Sequence, residues 1–246
     1  MAQLVAHRGQ CASLPENTLE SVGKAIACGA TAVEFDLQMS ADFVPLLSHD
    51  ISLLRTAGVD IDIASCHSSE IVGISVAESE RFDEPLFDIT LPSLQQMVTL
   101  LLEAPQVTAF VELKNESIEV FGTERFVHQV LAELQPIKER CVVIADSIEA
   151  LREIQRRDTL PVGWIVHRWD ECDRGRAQQD ALDYLIINHK YCLPSYDFAA
   201  DPWEWMVYET SDPELANVLI AQGIHFVETN DICSMLQHLP EYRTGG

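Results

Sequence analysis

Glu34 and Asp36 stand two apart in the run Val33-Glu34-Phe35-Asp36-Leu37. Positions i and i+2 of a strand share a face, so both carboxylates project together while Phe35 packs on the other side. Two anions held this close raise each other's pKa and repel unless a cation sits between them. Glu112 and Lys114 repeat the spacing in Val111-Glu112-Leu113-Lys114. Three carboxylates converging from such strands can hold Mg²⁺ or Ca²⁺, which prefer oxygen ligands, and leave positions for water and a phosphate oxygen. Either pair alone reads as solvated charge or a buried ion pair; two pairs on neighbouring strands point to a site.

Four further residues fit the same chemistry. His7 and Arg8 directly follow the first apolar run, and His49-Asp50 ends an apolar run that follows the Glu34/Asp36 strand. Two imidazoles on opposite sides of a phosphoryl group could exchange the proton of an attacking hydroxyl and that of a leaving alkoxide. Arg8 can fork two phosphate oxygens, and Lys114 adds a point charge. His67, His128, His167, His189, His225 and His238 read as packed or surface residues. The chain has no GxGxxG after a strand, no GxxxxGK[ST], no HExxH and no GxSxG, so nucleotide-cofactor and serine-hydrolase readings lose their usual support.

The elements that must position these groups alternate. Apolar runs at Leu4–Ala6, Ala32–Leu37, Ala109–Leu113, Val142–Ala145, Val162–Val166, Tyr184–Ile187, Met206–Tyr208 and Phe226–Val227 predict strands. Helical punctuation lies between them. Asn17 with Glu20 predicts a capped start to a helix whose stripe is Leu19, Val22 and Ile26 and whose stop is Gly29. Ser93 with Gln96 predicts a second capping box, and Asp212 with Pro213 a late helix that ends at Gly223. Val44–Leu47 follows the second strand too soon for a parallel crossover, which needs about a dozen or more residues, so it must return as a hairpin. Eight parallel strands then remain. In a single domain over residues 1–246 they fit an α/β fold, a (β/α)₈ TIM barrel with a β-hairpin insertion after the second strand; an open doubly wound sheet is the alternative. The stretch Ile51–Thr90 is too long for a plain connection and is expected to cover the barrel mouth.

Composition narrows the partners. With 39 acidic against 16 basic side chains, the formal charge of −23 repels nucleic acid and anionic membrane surfaces. The expected partner is a small-molecule phosphodiester, attracted at close range by a bound cation and the Arg8/Lys114 pair. The seven cysteines form an odd set without a CxxC pair and read as scattered thiols of a reducing compartment. MAQLVAHRG lacks a basic segment followed by a long apolar one, and no apolar run approaches the roughly 18 residues of a spanning helix. A cytoplasmic protein without stable membrane insertion is expected; the oligomeric state is not legible.

His7-Arg8-Gly9, Pro15-Glu16-Asn17-Thr18, Gly29-Ala30, Val33-Glu34-Phe35-Asp36, His49-Asp50, Leu54-Arg55-Thr56, Pro92-Ser93-Leu94 and Glu112-Leu113-Lys114 follow one another in an order that resembles the glycerophosphodiester phosphodiesterase signature. The resemblance implies hydrolysis of a glycerophosphodiester to glycerol 3-phosphate and an alcohol. It further implies that His7 and His49 are the acid/base pair, that Glu34, Asp36 and Glu112 ligate one divalent metal ion, Mg²⁺ or Ca²⁺, and that Arg8 and Lys114 hold phosphate. Glu16 and Asn17 also match, Asn17 alongside its capping role. The second half departs from the pattern: Tyr208-Glu209-Thr210-Ser211 stands where Trp-Thr-Val-Asn is frequent, Glu228-Thr229-Asn230 where a Thr-Asp pair is common, and Asp146-Ser147 where Ser-Phe is usual. Two other readings stay open. One is a lysophospholipase D- or sphingomyelinase D-like activity, disfavoured by Glu70, Glu78, Glu80, Arg81 and Asp83 in the stretch that would form an apolar funnel. The other is a non-enzymatic barrel that binds a phosphate compound.

Overall fold

The computed structural model describes residues 2–71, 73–82, 88–167, 169, 171–192 and 196–243, the side chains of 171 and 172 excepted. Nine strands are present among them: β1 Gln3–His7, β2 Ala32–Met39, β3 Pro45–Leu47, β4 Thr108–Leu113, β5 Cys141–Ala145, β6 Val162–Val166, β7 Tyr184–Asn188, β8 Glu204–Tyr208 and β9 Phe226–Thr229. All but β3 are parallel, and β1 pairs with both β2 and β9. The sheet therefore closes into an eight-stranded barrel with helices between the strands, which removes the open-sheet alternative. β3 folds back antiparallel on the end of β2, pairing Leu37 with Leu47 and Met39 with Pro45, as the short connection required.

The two-residue period of the strands sorts the barrel interior into layers. Val5, Phe110, Ile144, Ile165, Ile186 and Met206 fill it as an apolar plug. Two positions further along the same faces come His7, Glu112, Asp146, His167, Asn188 and Tyr208, so the polar layer sits directly on the plug at the C-terminal mouth. The other strand faces, with Leu4, Val33, Phe35 and Val111 among them, pack against the surrounding helices.

Helix boundaries follow the punctuation with one correction. The Ser93/Gln96 capping box is formed, and Asp212 accepts hydrogen bonds from the amides of Glu214 and Leu215 at the start of the helix Pro213–Ala221. The first helix, Leu19–Ala27, is capped by Thr18, whose hydroxyl accepts from the Ser21 amide, and not by Asn17. Asn17 has a φ of +57° and turns its side chain into the barrel.

The described residues of 51–90 build a core of their own rather than line the mouth. Leu53, Ile63, Ile71, Val76 and Ile89 close with Leu46 of β3 into a separate small core, and none of the described residues of this stretch lines the mouth cavity. Asp83 lies outside the described residues.

The expectation of seven thiols is also corrected, because Cys28 and Cys233 form a disulfide. Cys28 caps the end of the first helix and Cys233 lies in the helix Ile232–His238, so the bond ties the helix Leu19–Ala27 to the helix Ile232–His238. Cys11, Cys66, Cys141 and Cys192 are free. The cytoplasmic expectation rested in part on unpaired cysteines and loses that part of its support. No helix among the described residues is long and apolar enough to cross a membrane.

Gly9 shows how tightly the first turn is set. Its φ is +86°, and an added Cβ would lie 2.4–2.6 Å from Ser21 Oγ, Ser21 C and Val22 N. Gly9→Ala is therefore expected to cost at least about 1–3 kcal/mol, read as a lower midpoint of chemical denaturation. An unchanged midpoint would show that this turn is not the constraint it looks to be.

Candidate active site

Seven predicted residues meet at the barrel mouth, and six of them, with Asp146, Ile165, Ile186, Tyr208, Glu209 and Glu228, line a cavity of about 330 Å³. The seventh, Asp36, is fully buried beside these residues. The register of β2 against β4 places Asp36 beside Glu112, so pairs far apart in sequence become one cluster. Glu34, Asp36 and Glu112 each offer an oxygen within 4.8 Å of the others.

Their surroundings are unequal. Asp36 Oδ2 accepts from Asn17 Nδ2 at 2.8 Å, the Asp36 amide donates to Asn17 Oδ1 at 3.0 Å, and Arg8 Nε lies 2.9 Å from Oδ2. Burial alone would raise the Asp36 pKa, but the charges of Arg8 and Lys114 outweigh it and hold the group below the usual carboxylate range. Among the described residues Glu34 accepts a hydrogen bond only from the Arg8 amide, at 3.1 Å, and burial with the Asp36 charge pushes its pKa well above the usual value. Burial and Asp36 likewise raise Glu112 to about 8, against the opposing charge of Lys114 Nζ at 2.7 Å.

Among the described residues Glu34 Oε1 and Asp36 Oδ1 are buried without a hydrogen-bond partner, with Lys114 Nζ 3.6 Å from Asp36 Oδ1. A buried carboxylate oxygen left in that state is costly. Three converging carboxylates, two with orphaned oxygens, are what a hard divalent cation satisfies, so the residues present fit such an ion.

Each imidazole is held by its Nδ1. His49 Nδ1 lies 2.6 Å from Asp50 Oδ1, and Arg55 Nε secures Asp50 at 2.6 Å. His7 Nδ1 lies 3.1 Å from Glu209 Oε2 and 2.9 Å from Asn230 Oδ1. Its Nε2 faces Glu34 Oε2 at 4.0 Å. Burial opposes a charge on His7, but the Glu209 hydrogen bond and the Glu228 and Glu34 charges push its pKa up to about 10.

Several contributors were not assigned a site role from sequence. Glu16 bridges Arg8 Nη1 at 3.0 Å and Arg55 Nη2 at 2.7 Å, and Arg55 Nη1 lies 3.5 Å from buried Glu78. This ladder steadies Arg8 from behind. Glu228 is buried at the mouth, where burial raises its pKa to about 7. Asp146 pairs with His167 at 3.2 Å, so His167, read as a surface residue, belongs to the rim. Strand period marks Glu228, whereas the Arg8–Glu16–Arg55 ladder joins the loop after β1 to the short helix Leu54–Ala57 and has no local signal.

Acidic groups, paired imidazoles and cations on the C-terminal mouth of a parallel barrel define an α/β-barrel site equipped for phosphoryl chemistry. Residues 7–189 match the model of the glycerophosphoryl diester phosphodiesterase family, and the chain belongs to that family. It is 26% identical over 153 residues, 62% of its length and 46% of the relative's, to glycerophosphodiester phosphodiesterase 1 of Rattus norvegicus. With a glycerophosphodiester phosphodiesterase of Bacillus altitudinis it shares 28% identity over 143 residues, 58% of this chain and 57% of the other. The chain thus spans about half the length of the curated relatives it matches. In fold it is similar to a phosphodiesterase of Oleispira antarctica solved in complex with the product sn-glycerol-3-phosphate, with a TM-score of 0.86 and 21% identity over 98% of this chain and 97% of that one.

Proposed function

We propose that this barrel hydrolyses a glycerophosphodiester to glycerol 3-phosphate and an alcohol. The observation that carries the reading is the convergence of Glu34, Asp36 and Glu112, two of them with orphaned oxygens, beside His7 and His49 at one mouth. Family membership and the product bound to the Oleispira relative point to the same substrate class.

Glu34, Asp36 and Glu112 would hold one divalent cation, Mg²⁺ or Ca²⁺. When bound, it supplies Lewis-acid polarisation and charge neutralisation at phosphate. Arg8 and Lys114 hold the remaining phosphate oxygens, the first in a fork and the second as a point charge. One imidazole takes the proton of the attacking hydroxyl while the other donates to the leaving alkoxide, each through the Nε2 that its Nδ1 contact leaves over. Tyr208, on the rim in place of the family's Trp, offers the glycerol a smaller platform with a polar tip.

A panel of glycerophosphodiesters with choline, ethanolamine, glycerol and inositol head groups tests the reading, with a lysophospholipid in parallel. Glycerol 3-phosphate release is expected from at least one glycerophosphodiester, and Arg8→Ala and Lys114→Ala should each lower kcat/KM by about tenfold or more, as loss of a charge-assisted contact implies. Release from the lysophospholipid alone would move the assignment to the lipid-directed class. Binding without turnover of anything in the panel would favour the non-enzymatic barrel.

A further inference from the structure

Two of the departures from the family pattern touch the same histidine nitrogen. Glu209, just beyond β8, stands where the resemblance often has Thr, and Asn230, just beyond β9, where it commonly has Asp. Their side chains meet at His7: Glu209 Oε2 lies 3.1 Å and Asn230 Oδ1 2.9 Å from Nδ1, and Asn230 Nδ2 donates to Glu209 Oε2. The amide cannot be turned round. Its Oδ1 also accepts the Cys11 thiol at 3.0 Å, and a flip would face that oxygen toward the Glu209 carboxylate. Both groups at Nδ1 are therefore acceptors, and Nδ1 must be the donor.

We infer that Glu209 and Asn230 together are positioning residues for His7: they fix the proton on Nδ1, set the ring plane and leave Nε2 free to face the mouth. Where the resemblance implies a carboxylate at position 230 and a neutral side chain at 209, this chain has the amide at 230 and the carboxylate at 209. The triad of nucleophilic enzymes shows why such a partner matters, since a histidine with the wrong tautomer or plane loses most of its rate even when every reacting group is present. No contact of Glu209 or Asn230 with substrate is required. The inference rests on the proposed use of His7 in proton transfer.

Three variants test it: Glu209→Thr, Asn230→Asp, and the two combined, which rebuilds the family arrangement. Circular dichroism and thermal melting confirm folding first. Glu209→Thr is expected to lower kcat on the best glycerophosphodiester by about 10–100-fold, the usual cost of losing a carboxylate behind a functional histidine, with KM changed less than about threefold. The double variant is expected to regain at least about tenfold of that loss, because an Asp at 230 reaches the same nitrogen. A second readout needs no turnover. The His7 Nδ1–H resonance, identified by its absence in His7→Ala, should be present in the wild type and the double variant and lost or exchange-broadened in Glu209→Thr.

A kcat within about twofold of wild type in Glu209→Thr would overturn the inference, as would a rise in KM alone, which marks a substrate contact. A double variant no better than the single one would do the same. If the wild type hydrolyses nothing in the panel, the proposed function fails by itself. The Nδ1–H resonance then decides the positioning separately.

Discussion

Hydrolysis is expected to stop in excess chelator and to return on addition of Mg²⁺, Mn²⁺ or Ca²⁺. The reason is electrostatic: burial with the Asp36 charge has pushed Glu34 well above the ordinary carboxylate range and Glu112 to about 8, and only a cation makes all three charges compatible at neutral pH. Glu34→Gln keeps the shape and removes the charge, so metal affinity should fall by more than about a hundredfold, since outer partners of metal ligands alone are worth about 10–100-fold. The sign of the pH dependence follows. The cation binds the deprotonated carboxylates, so apparent affinity should decline as pH falls below about 8 and protons compete for Glu112, with proton release on binding. Without the cation the stability effect runs the other way. A carboxyl whose folded pKa is raised binds its proton more tightly when folded, so the contribution of Glu112 is full below the unfolded value near 4.5 and is lost as pH rises through about 8. Isothermal titration at several pH values reads affinity and proton release together. Full turnover in excess chelator would sink the cation.

His7→Ala and His49→Ala are each expected to lower kcat by about 10²–10⁴ with the fold intact, the range that general acid–base groups supply. The two imidazoles are not equivalent. His7, flanked by Glu209, Glu228 and Glu34, is pushed up to about 10 against its burial and holds its proton at neutral pH, which suits it to donate to the leaving alkoxide. His49 is then the acceptor of the attacking hydroxyl's proton. The sign for His7 is fixed: kcat/KM should fall on the alkaline side as His7 loses its proton, and a cation beside Glu34 should draw that limb below about 10. In His7→Ala the alkaline limb should vanish while the acidic limb stays. A variant with near wild-type turnover would take its histidine out of the mechanism.

Much of the architecture was legible because strands and helices impose different periods on the same chain. The alternation in Val33–Leu37 and Val111–Lys114 placed Glu34, Asp36 and Glu112 on inward faces, and barrel closure then brought them within 4.8 Å. Asn17 was misread because it stands next to Thr18 and both residue types cap helices; only a φ of +57° and the need of Asp36 for partners decide between them. Ile51–Thr90 was misplaced because its apolar residues follow neither period and build a small core of their own. The lattice of Glu16, Arg55, Glu78 and Arg81 depends on loops packed side by side, which no local pattern encodes. Cys28 and Cys233 are 205 residues apart, and nothing in their flanking sequence ties one to the other.

That bond changes what a broken chain is. Residues 28 to 233 form a covalent ring that carries eight of the nine strands, with β1 as a tail at the ring's closing point. One proteolytic cut at any loop within the ring opens it but releases nothing, since both pieces stay joined through sulfur. The nicked barrel would run as a single band without reductant and as two bands with it, and the pieces would stay aligned for the surrounding strands to hold the mouth together.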